Sequence, residues 1–369
     1  MAVLFILILS LYCLLLLVFL FGWIMIRRQS MPVKGTATPR ISVVVAVRNE
    51  EENIQTLLHN LSAIIYPVGK LEVIIVNDHS TDATMEKAKS LIGHLSTARL
   101  LDLPEGREGK KEALSFGIEA AQFEIIATTD ADCQFSKNWL TCLSLYFEQD
   151  ETKMLVGAVK LIAAPSFLSR LQLTEFASLV GSTAAAIGLR HPIMCSGANL
   201  AFQKSAFNEV QGYSGNFQIA SGDDEFLMRK INRRYPGGIK FLNYYEAVVS
   251  SHAQKSIQDF IHQRLRWAGK WKHNTDSMTQ LLAVFIFVSH LAFAGLVIKN
   301  FFGPDATLGL VIAKLFLEGV FIFWVGRFLD RRFDILAFLI LQIIYPVYVI
   351  TIGVFSLFSP YRWKNRNYK

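Results

Sequence analysis

Apolar positions change their pattern three times along the chain. Residues 1–26 are almost unbroken apolar sequence, closed by Arg27 and Arg28. From Ile41 the pattern shortens. ISVVVAV (41–47) and LEVIIV (71–76) are continuous β-branched runs, as expected of strands covered on both faces. Between them, residues 50–64 place Ile54, Leu57, Leu58 and Leu61 at helical spacing. DHSTD (78–82) reads as a polar turn capping a helix that begins near Ala83. ARLLDL, a helix over about 109–121, and EIIATTDAD complete the set. Strands alternating with helices at this pitch predict an α/β fold built on a mostly parallel, Rossmann-like sheet.

Further on, the patterning turns towards the bilayer. Residues 165–189 set Phe167, Leu168, Leu171, Phe176, Leu179 and Val180 against Arg170, Gln172 and Glu175, an interfacial or core helix. Residues 257–268 carry an apolar stripe of Ile257, Phe260, Ile261, Leu265 and Ala268. Gln263, Arg266 and Trp267 fall on roughly the opposite face at about 100° per residue. Residues 281–298, 308–328 and 335–358 are each long enough to span a membrane. The middle one holds Lys314 and Glu318 at i,i+4, and Pro346 should kink the last.

Composition agrees with a membrane protein. Of 369 residues 52% are hydrophobic, and mean hydropathy is +0.34. A cleavable signal would have an early charge and an apolar core of about 7–15 residues. The amino-terminal run has neither and reads as a retained anchor, with its basic flank placing the following domain in the cytoplasm. Three later spans put the tail outside, yet Arg362, Lys364, Arg366 and Lys369 favour the inside, so the span count stays open. The net charge of +7 sits beside apolar segments and points to anionic lipid and a negatively charged ligand, not nucleic acid. The four cysteines show no CxxC spacing and are expected as free thiols, and the eight histidines form no ligand cluster.

The candidate chemistry collects where predicted strands end. Asp130 and Asp132 follow a buried run, at the edge where open α/β sheets bind ligands. Hard oxygen donors so spaced suit Mg²⁺ or Mn²⁺ shared with substrate phosphates, though Asp pairs also cap helices and form turns. Arg48, Asn49 and Glu50 end the first strand, and Asn77 and Asp78 the second, positions suited to a base and ribose edge or to plain capping. There is no GxGxxG and no Walker loop, which disfavours dinucleotides and ATP cradles. Asp223 and Asp224 lie after a Ser-Gly turn at a helix start, as a base or as a charge pair at the helix amino terminus. Trp267 and Arg266 suit a sugar face and a phosphate fork, with an interfacial Trp and snorkelling Arg as the alternative. Small residues in CSGANLAF (195–202) would let backbone approach a ligand.

Taken in order, VVVAVRNEEENI, VIIVNDHSTDAT, GKKEAL, the DAD, SGANLAF, GDDEFL and QRLRW resemble family 2 glycosyltransferases of the GT-A fold. The likeness is to the membrane branch with a QxxRW motif: cellulose, chitin, hyaluronan and poly-N-acetylglucosamine synthases and ceramide glucosyltransferase. It runs from about residue 41 to 271. The resemblance implies that Asp78 contacts the nucleobase, that Asp130 lies by the donor sugar and ribose, and that Asp132, with Asp130, holds the metal. It implies Asp224 as the catalytic base with Asp223 beside it, and a donor-binding set of Glu50, Lys110, Gln263, Arg264, Arg266 and Trp267. Asn77 departs from the family, where many relatives carry a second Asp.

The expected organisation is an anchor over 1–28, a linker over 29–40, a GT-A domain over 41–275, a membrane region over 276–360 and a basic tail over 361–369. The resemblance implies a nucleotide-sugar donor, a Mg²⁺ or Mn²⁺ cofactor and a catalytic domain on the cytoplasmic side of the plasma (inner) membrane. Few spans and no gating segment after QRLRW favour a lipid or lipid-linked acceptor. Processive glycan synthesis, with partner subunits for export, is the alternative.

Overall fold

The computed structural model describes residues 2–29, 38–93, 95, 97–148, 151–215, 217, 222–269, 276–356, 361–363 and 366–368. Residues 30–37 of the expected linker, Ser221 of the turn before Asp223, residues 270–275 and the side chains of the basic tail lie outside these. In chain order the elements begin with α1 (Ala2–Arg28), β1 (Ile41–Val47), α2 (Ile54–Ser62), β2 (Leu71–Asn77), α3 (Thr84–Ile92) and β3 (Ala98–Asp102). Next come α4 (Lys110–Ala120), β4 (Ile125–Thr128), α5 (Trp139–Phe147), β5 (Met154–Gly157), β6 (Val159–Ile162) and α6 (Phe167–Gly188). Then follow β7 (Leu200–Gln203), α7 (Lys204–Glu209), α8 (Asp223–Arg234), β8 (Ile239–Leu242), β9 (Val249–His252) and α9 (Ile257–Gly269). The chain closes with α10 (Ser277–Phe302), α11 (Thr307–Phe328), α12 (Ile335–Ser356), β10 (Tyr361–Trp363) and β11 (Arg366–Tyr368).

The chain divides into two compact units. The first comprises Ile26–Ile162 and Ala186–His252. Its seven-stranded sheet has the order β3-β2-β1-β4-β7-β5-β8. β1, β2, β3 and β4 are mutually parallel, and only β7 runs against its neighbours β4 and β5. The mostly parallel sheet is therefore as the strand and helix alternation predicts. Register pairs Val47 with Asn77 and Val44 with Thr128, so the carboxyl ends of β1, β2 and β4 share one edge. β1 is buried along nearly its whole length, and α4 lies close enough that a Cβ on Gly117 would stand 2.5 Å from Val44. A smaller parallel pair, β6 with β9, flanks this sheet.

A buried amide joins three stretches of this unit. Asn199, in the 3-10 turn before β7, donates to the carbonyls of Ala158 and Ala247 at 2.8 Å each and accepts from the Trp139 indole at 3.0 Å. A Cβ on Gly157 would lie 2.2 Å from that amide, so only glycine fits there.

The second unit comprises Met1–Met25, Ala163–Ala185 and Ala253–Lys369. α1, α10, α11 and α12 are long and apolar enough to cross a membrane. α1 packs through Leu9, Tyr12 and Leu16 on Phe293 and Leu296 of α10 and Val311 of α11. Trp23 meets Phe328 edge-on at 5.7 Å. The Lys314–Glu318 pair forms at 2.9 Å and is shared: Tyr12 donates to Glu318 at 2.7 Å, and Lys314 also donates to Gln342 of α12. Pro346 lies within α12, which continues through it. The helix carrying Gln263 to Trp267 falls in this unit, and the four cysteines are free thiols.

Candidate active site

Parallel strands end together, and the polar residues that follow them gather at one edge of the first unit. Beyond β2, the Asp78 carboxylate is 1% exposed and accepts from the Gly109 N–H at 3.1 Å. The Arg48 guanidinium donates to the carbonyls of Asp78 at 2.6 Å and His79 at 3.3 Å, and lies 3.8 Å from the Asp78 carboxylate. His79 takes a left-handed φ of 53°, and its Nε2 lies 2.9 Å from the Arg107 carbonyl. Asp78 and the turn at the start of α4 thus form one structure. Asn77 donates to Asp102 at 2.8 Å and accepts from the Ser80 N–H at 3.0 Å. A second Asp at this position would set two carboxylates against each other where an amide donates.

Glu50 lies between β1 and α2. Its N–H donates to the Thr84 hydroxyl at 2.7 Å, and its carboxylate accepts from the Asn53 amide at 2.7 Å. It joins the loops after β1 and β2, and its carboxylate also serves as a local turn acceptor.

The centre of the site lies beyond β4. Lys110, first residue of α4, places Nζ 2.6 Å from Asp130 Oδ1 and 3.7 Å from Asp223 Oδ2. Burial works against the ammonium, but the carboxylates of Asp130 and Asp223 outweigh it and hold Lys110 charged well above the usual lysine range. Asp132 accepts from the Ser251 hydroxyl of β9 at 3.1 Å. Burial and the neighbouring charge of Asp130 push the Asp132 carboxyl up, the Ser251 hydrogen bond only partly offsetting them. Among the described residues no cluster of three or more His, Cys, Asp or Glu side chains converges on a metal position.

α8 starts at the same place because Gly222 takes the left-handed region, φ 80°, turning the chain into the helix. Asp223, in the first turn, is 8% exposed and faces Lys110. Asp224 is more open. Its Oδ2 accepts from the Gly197 N–H at 2.8 Å and its Oδ1 from the Glu225 N–H at 2.7 Å. Gly197 is in turn held by the Thr128 hydroxyl of β4, which donates to its carbonyl at 3.0 Å. The SGAN stretch therefore brings backbone against the carboxylate pair. Tyr213, which no sequence signal marked, is buried nearby; burial and then the charge of Asp223 raise its hydroxyl well above the usual tyrosine range. Ser251 was missed too, since it lies 119 residues from its partner and carries no motif.

The QRLRW residues belong to α9 in the second unit. Gln263, Arg266 and Trp267 are partly buried there. Arg264, expected among the donor-binding residues, is 4% exposed, and its guanidinium donates to the Glu175 carboxylate of α6 at 3.2 and 2.6 Å.

Residues 42–211 match the model of Glycosyl transferase family 2. The chain is 33% identical over 133 residues to dodecaprenyl-phosphate galacturonate synthase of Rhizobium johnstonii, covering 34% of this chain and 39% of that protein. It is 29% identical over 196 residues to poly-beta-1,6-N-acetyl-D-glucosamine synthase of Staphylococcus epidermidis, covering 52% and 44%. The chain thus spans less than half the length of either relative. In fold it is similar to the mannosyltransferase PcManGT of Pyrobaculum calidifontis in complex with GDP-Man and Mn²⁺, with a TM-score of 0.62 at 18% identity over 97% of this chain and 99% of that one. The mostly parallel sheet, the strand-edge carboxylates and the family match converge on one part of the chain: residues 42–211 match a Glycosyl transferase family 2 domain, within a GT-A-like fold.

Proposed function

We propose that this protein is an inverting glycosyltransferase that moves a sugar from a nucleoside-diphosphate donor, UDP-linked in the first instance, to a lipid or lipid-linked acceptor at the cytosolic face of the membrane. The observation that carries the reading is the constellation of Asp130, Lys110, Asp223 and Asp224. A half-buried cation binds two carboxylates, while a third carboxylate accepts from two backbone N–H groups. Transfer needs a carboxylate to take the acceptor proton, and a cationic environment for the departing diphosphate.

In this reading Asp224 takes the acceptor hydroxyl proton. Its Gly197 and Glu225 hydrogen bonds fix the carboxylate's orientation, and it is more open than Asp223. The acceptor oxygen bonds to the anomeric carbon as the bond to the diphosphate oxygen breaks. Lys110 remains charged beside the leaving group. Asp78, with Arg48 and Glu50, serves the base and ribose. Gln263, Arg266 and Trp267 handle the sugar and diphosphate, since Arg pairs with phosphate through a fork and Trp stacks on sugars.

Asp130 and Asp132 fit Mg²⁺ or Mn²⁺. Their mutual repulsion and the burial of Asp132 favour a hard cation, and two carboxylates leave coordination positions for phosphate oxygens and water. When bound, such an ion neutralises the diphosphate charge that develops as the bond breaks.

The lipid acceptor rests on the four apolar helices and on the likeness to dodecaprenyl-phosphate galacturonate synthase. The likeness to poly-beta-1,6-N-acetyl-D-glucosamine synthase, over more of this chain, favours polymer elongation as the second reading. Protein reconstituted in native lipids, given each UDP-sugar with Mn²⁺ and examined by mass spectrometry, separates them. A single sugar increment on a lipid is expected. A ladder of increments would select elongation, and no sugar-dependent release of nucleoside diphosphate would reject both.

A further inference from the structure

The QxxRW helix is aimed by a buried residue that the motif does not name. Arg264 uses its whole guanidinium inside the second unit. Nε and Nη2 donate to the Glu175 carboxylate at 3.2 and 2.6 Å, and Nη1 donates to Gln263 Oε1 at 2.7 Å. One aromatic ring on either side in sequence completes the setting. The guanidinium carbon lies 4.6 Å from the Phe260 ring centroid and 4.3 Å from that of Trp267. Arg264 therefore touches two of the three motif residues, Gln263 by a hydrogen bond and Trp267 by stacking.

Glu175 is itself held from a further helix. Its Oε1 accepts from the Tyr348 hydroxyl of α12 at 3.1 Å, and the Tyr348 ring lies 5.6 Å from Phe260. The path thus runs from an apolar helix, through Glu175 on α6, to Arg264 and the motif. Stability is a weak explanation for such a pair. A buried ion pair is often no better than well-packed apolar residues of the same volume. What an apolar replacement cannot do is orient an amide and stack a cation on an indole. Lysine cannot do both either, because it lacks the planar fork.

We propose that Arg264, held by Glu175 and Tyr348, is a positioning residue that fixes the Gln263 amide and the Trp267 ring for transfer. This rests on the reading of those two residues as donor-handling groups. Arg264 reaches no substrate itself and acts through its neighbours.

The test combines kinetics with a readout independent of activity. The chain has six tryptophans, so 5-fluorotryptophan protein in nanodiscs gives a small set of fluorine resonances, with Trp267→Phe assigning one. Glu175→Gln, nearly isosteric, is expected to shift or broaden the Trp267 resonance while the others stay. It should lower kcat on the order of 10²-fold, the size expected of a misplaced reacting geometry, with donor KM within about twofold. Arg264→Lys should behave in the same way. The exchanged pair, Glu175→Arg with Arg264→Glu, restores the ion pair without the stack on Trp267. It should recover thermal stability and not kcat.

Full recovery of kcat in the exchanged pair would overturn the proposal. So would Glu175→Gln with the Trp267 resonance and kcat of wild type, and this variant decides if the exchanged pair does not fold. A Trp267 resonance that moves in Glu175→Gln, in a protein without transfer activity even as wild type, would support the positioning and reject the proposed function instead.

Discussion

Lys110 Nζ lies 2.6 Å from Asp130 Oδ1, joining the first residue of α4 to the carboxylate pair beyond β4. The same ammonium reaches Asp223 at the start of α8, so one cation links three stretches of sequence. Lys110→Met should remove the cation that Asp130 and Asp223 share. The expected result is loss of transfer with weakened nucleotide-sugar binding, read by isothermal titration and nucleotide release. Unchanged donor affinity would argue that the lysine serves the fold alone.

Asp223 and Asp224 are neighbours with different surroundings, the first closed around Lys110 and the second more open and held by Gly197 and Glu225 N–H groups. Asp224→Asn should lower transfer by at least about 10²-fold, as for a general base, with donor binding retained. Asp223→Asn should instead weaken donor binding. The reverse pattern in the two variants would exchange their roles.

At Asp130 and Asp132, the proposed metal ligands, Asp132→Asn should abolish transfer, and a chelator should do the same to wild type reversibly. Ser251→Ala removes one hydrogen bond to Asp132 and should cost only a few-fold, about 1 kcal/mol. The cost should show as a raised Mn²⁺ requirement in activity titrations. Full activity in chelator would remove the metal from the mechanism.

In the second unit, Tyr12 donates to Glu318 and Lys314 lies between Glu318 and Gln342. Tyr12→Phe should lower stability by about 0.5–2 kcal/mol, the range of hydrogen bonds between membrane helices. Lys314→Met alone should destabilise more than Lys314→Met combined with Glu318→Leu, because the single change leaves a carboxylate among apolar helices without its cation. Thermal unfolding in nanodiscs ranks the three.

Gly157→Ala would drive a methyl into the Asn199 amide, where a Cβ already stands 2.2 Å away. Unfolding or loss of expression is expected. Asn199→Ala, which removes the hydrogen bonds to Ala158, Ala247 and Trp139, should be milder but still destabilising, by several kcal/mol at most. Wild-type stability in both would mean that this region repacks.

Periodicity marked β1 to β4, the helices between them and the long apolar helices, but not β5, β6, β8 or β9. ISVVVAV and LEVIIV are strands because a β-branched run has nowhere else to bury, and the long apolar runs are helices because a backbone in lipid must satisfy itself. Local spacing also marked which carboxylates end strands or open helices: Asp78, Asp130, Asp132, Asp223 and Asp224. Partnership was beyond it. A strand-end carboxylate can cap, bind metal or pair with a cation, and the choice depends on what the sheet order brings alongside. Thus Lys110 meets Asp130 because α4 packs on β1, the neighbour of β4, Ser251 reaches Asp132 from β9, and Arg264 turns inward because Glu175 and Tyr348 come from α6 and α12. Helical spacing placed Gln263, Arg266 and Trp267 on one face, but it carries no information about which neighbour neutralises the arginine between them. Only tertiary packing sets that, since a buried guanidinium goes wherever a carboxylate and aromatic faces converge on it.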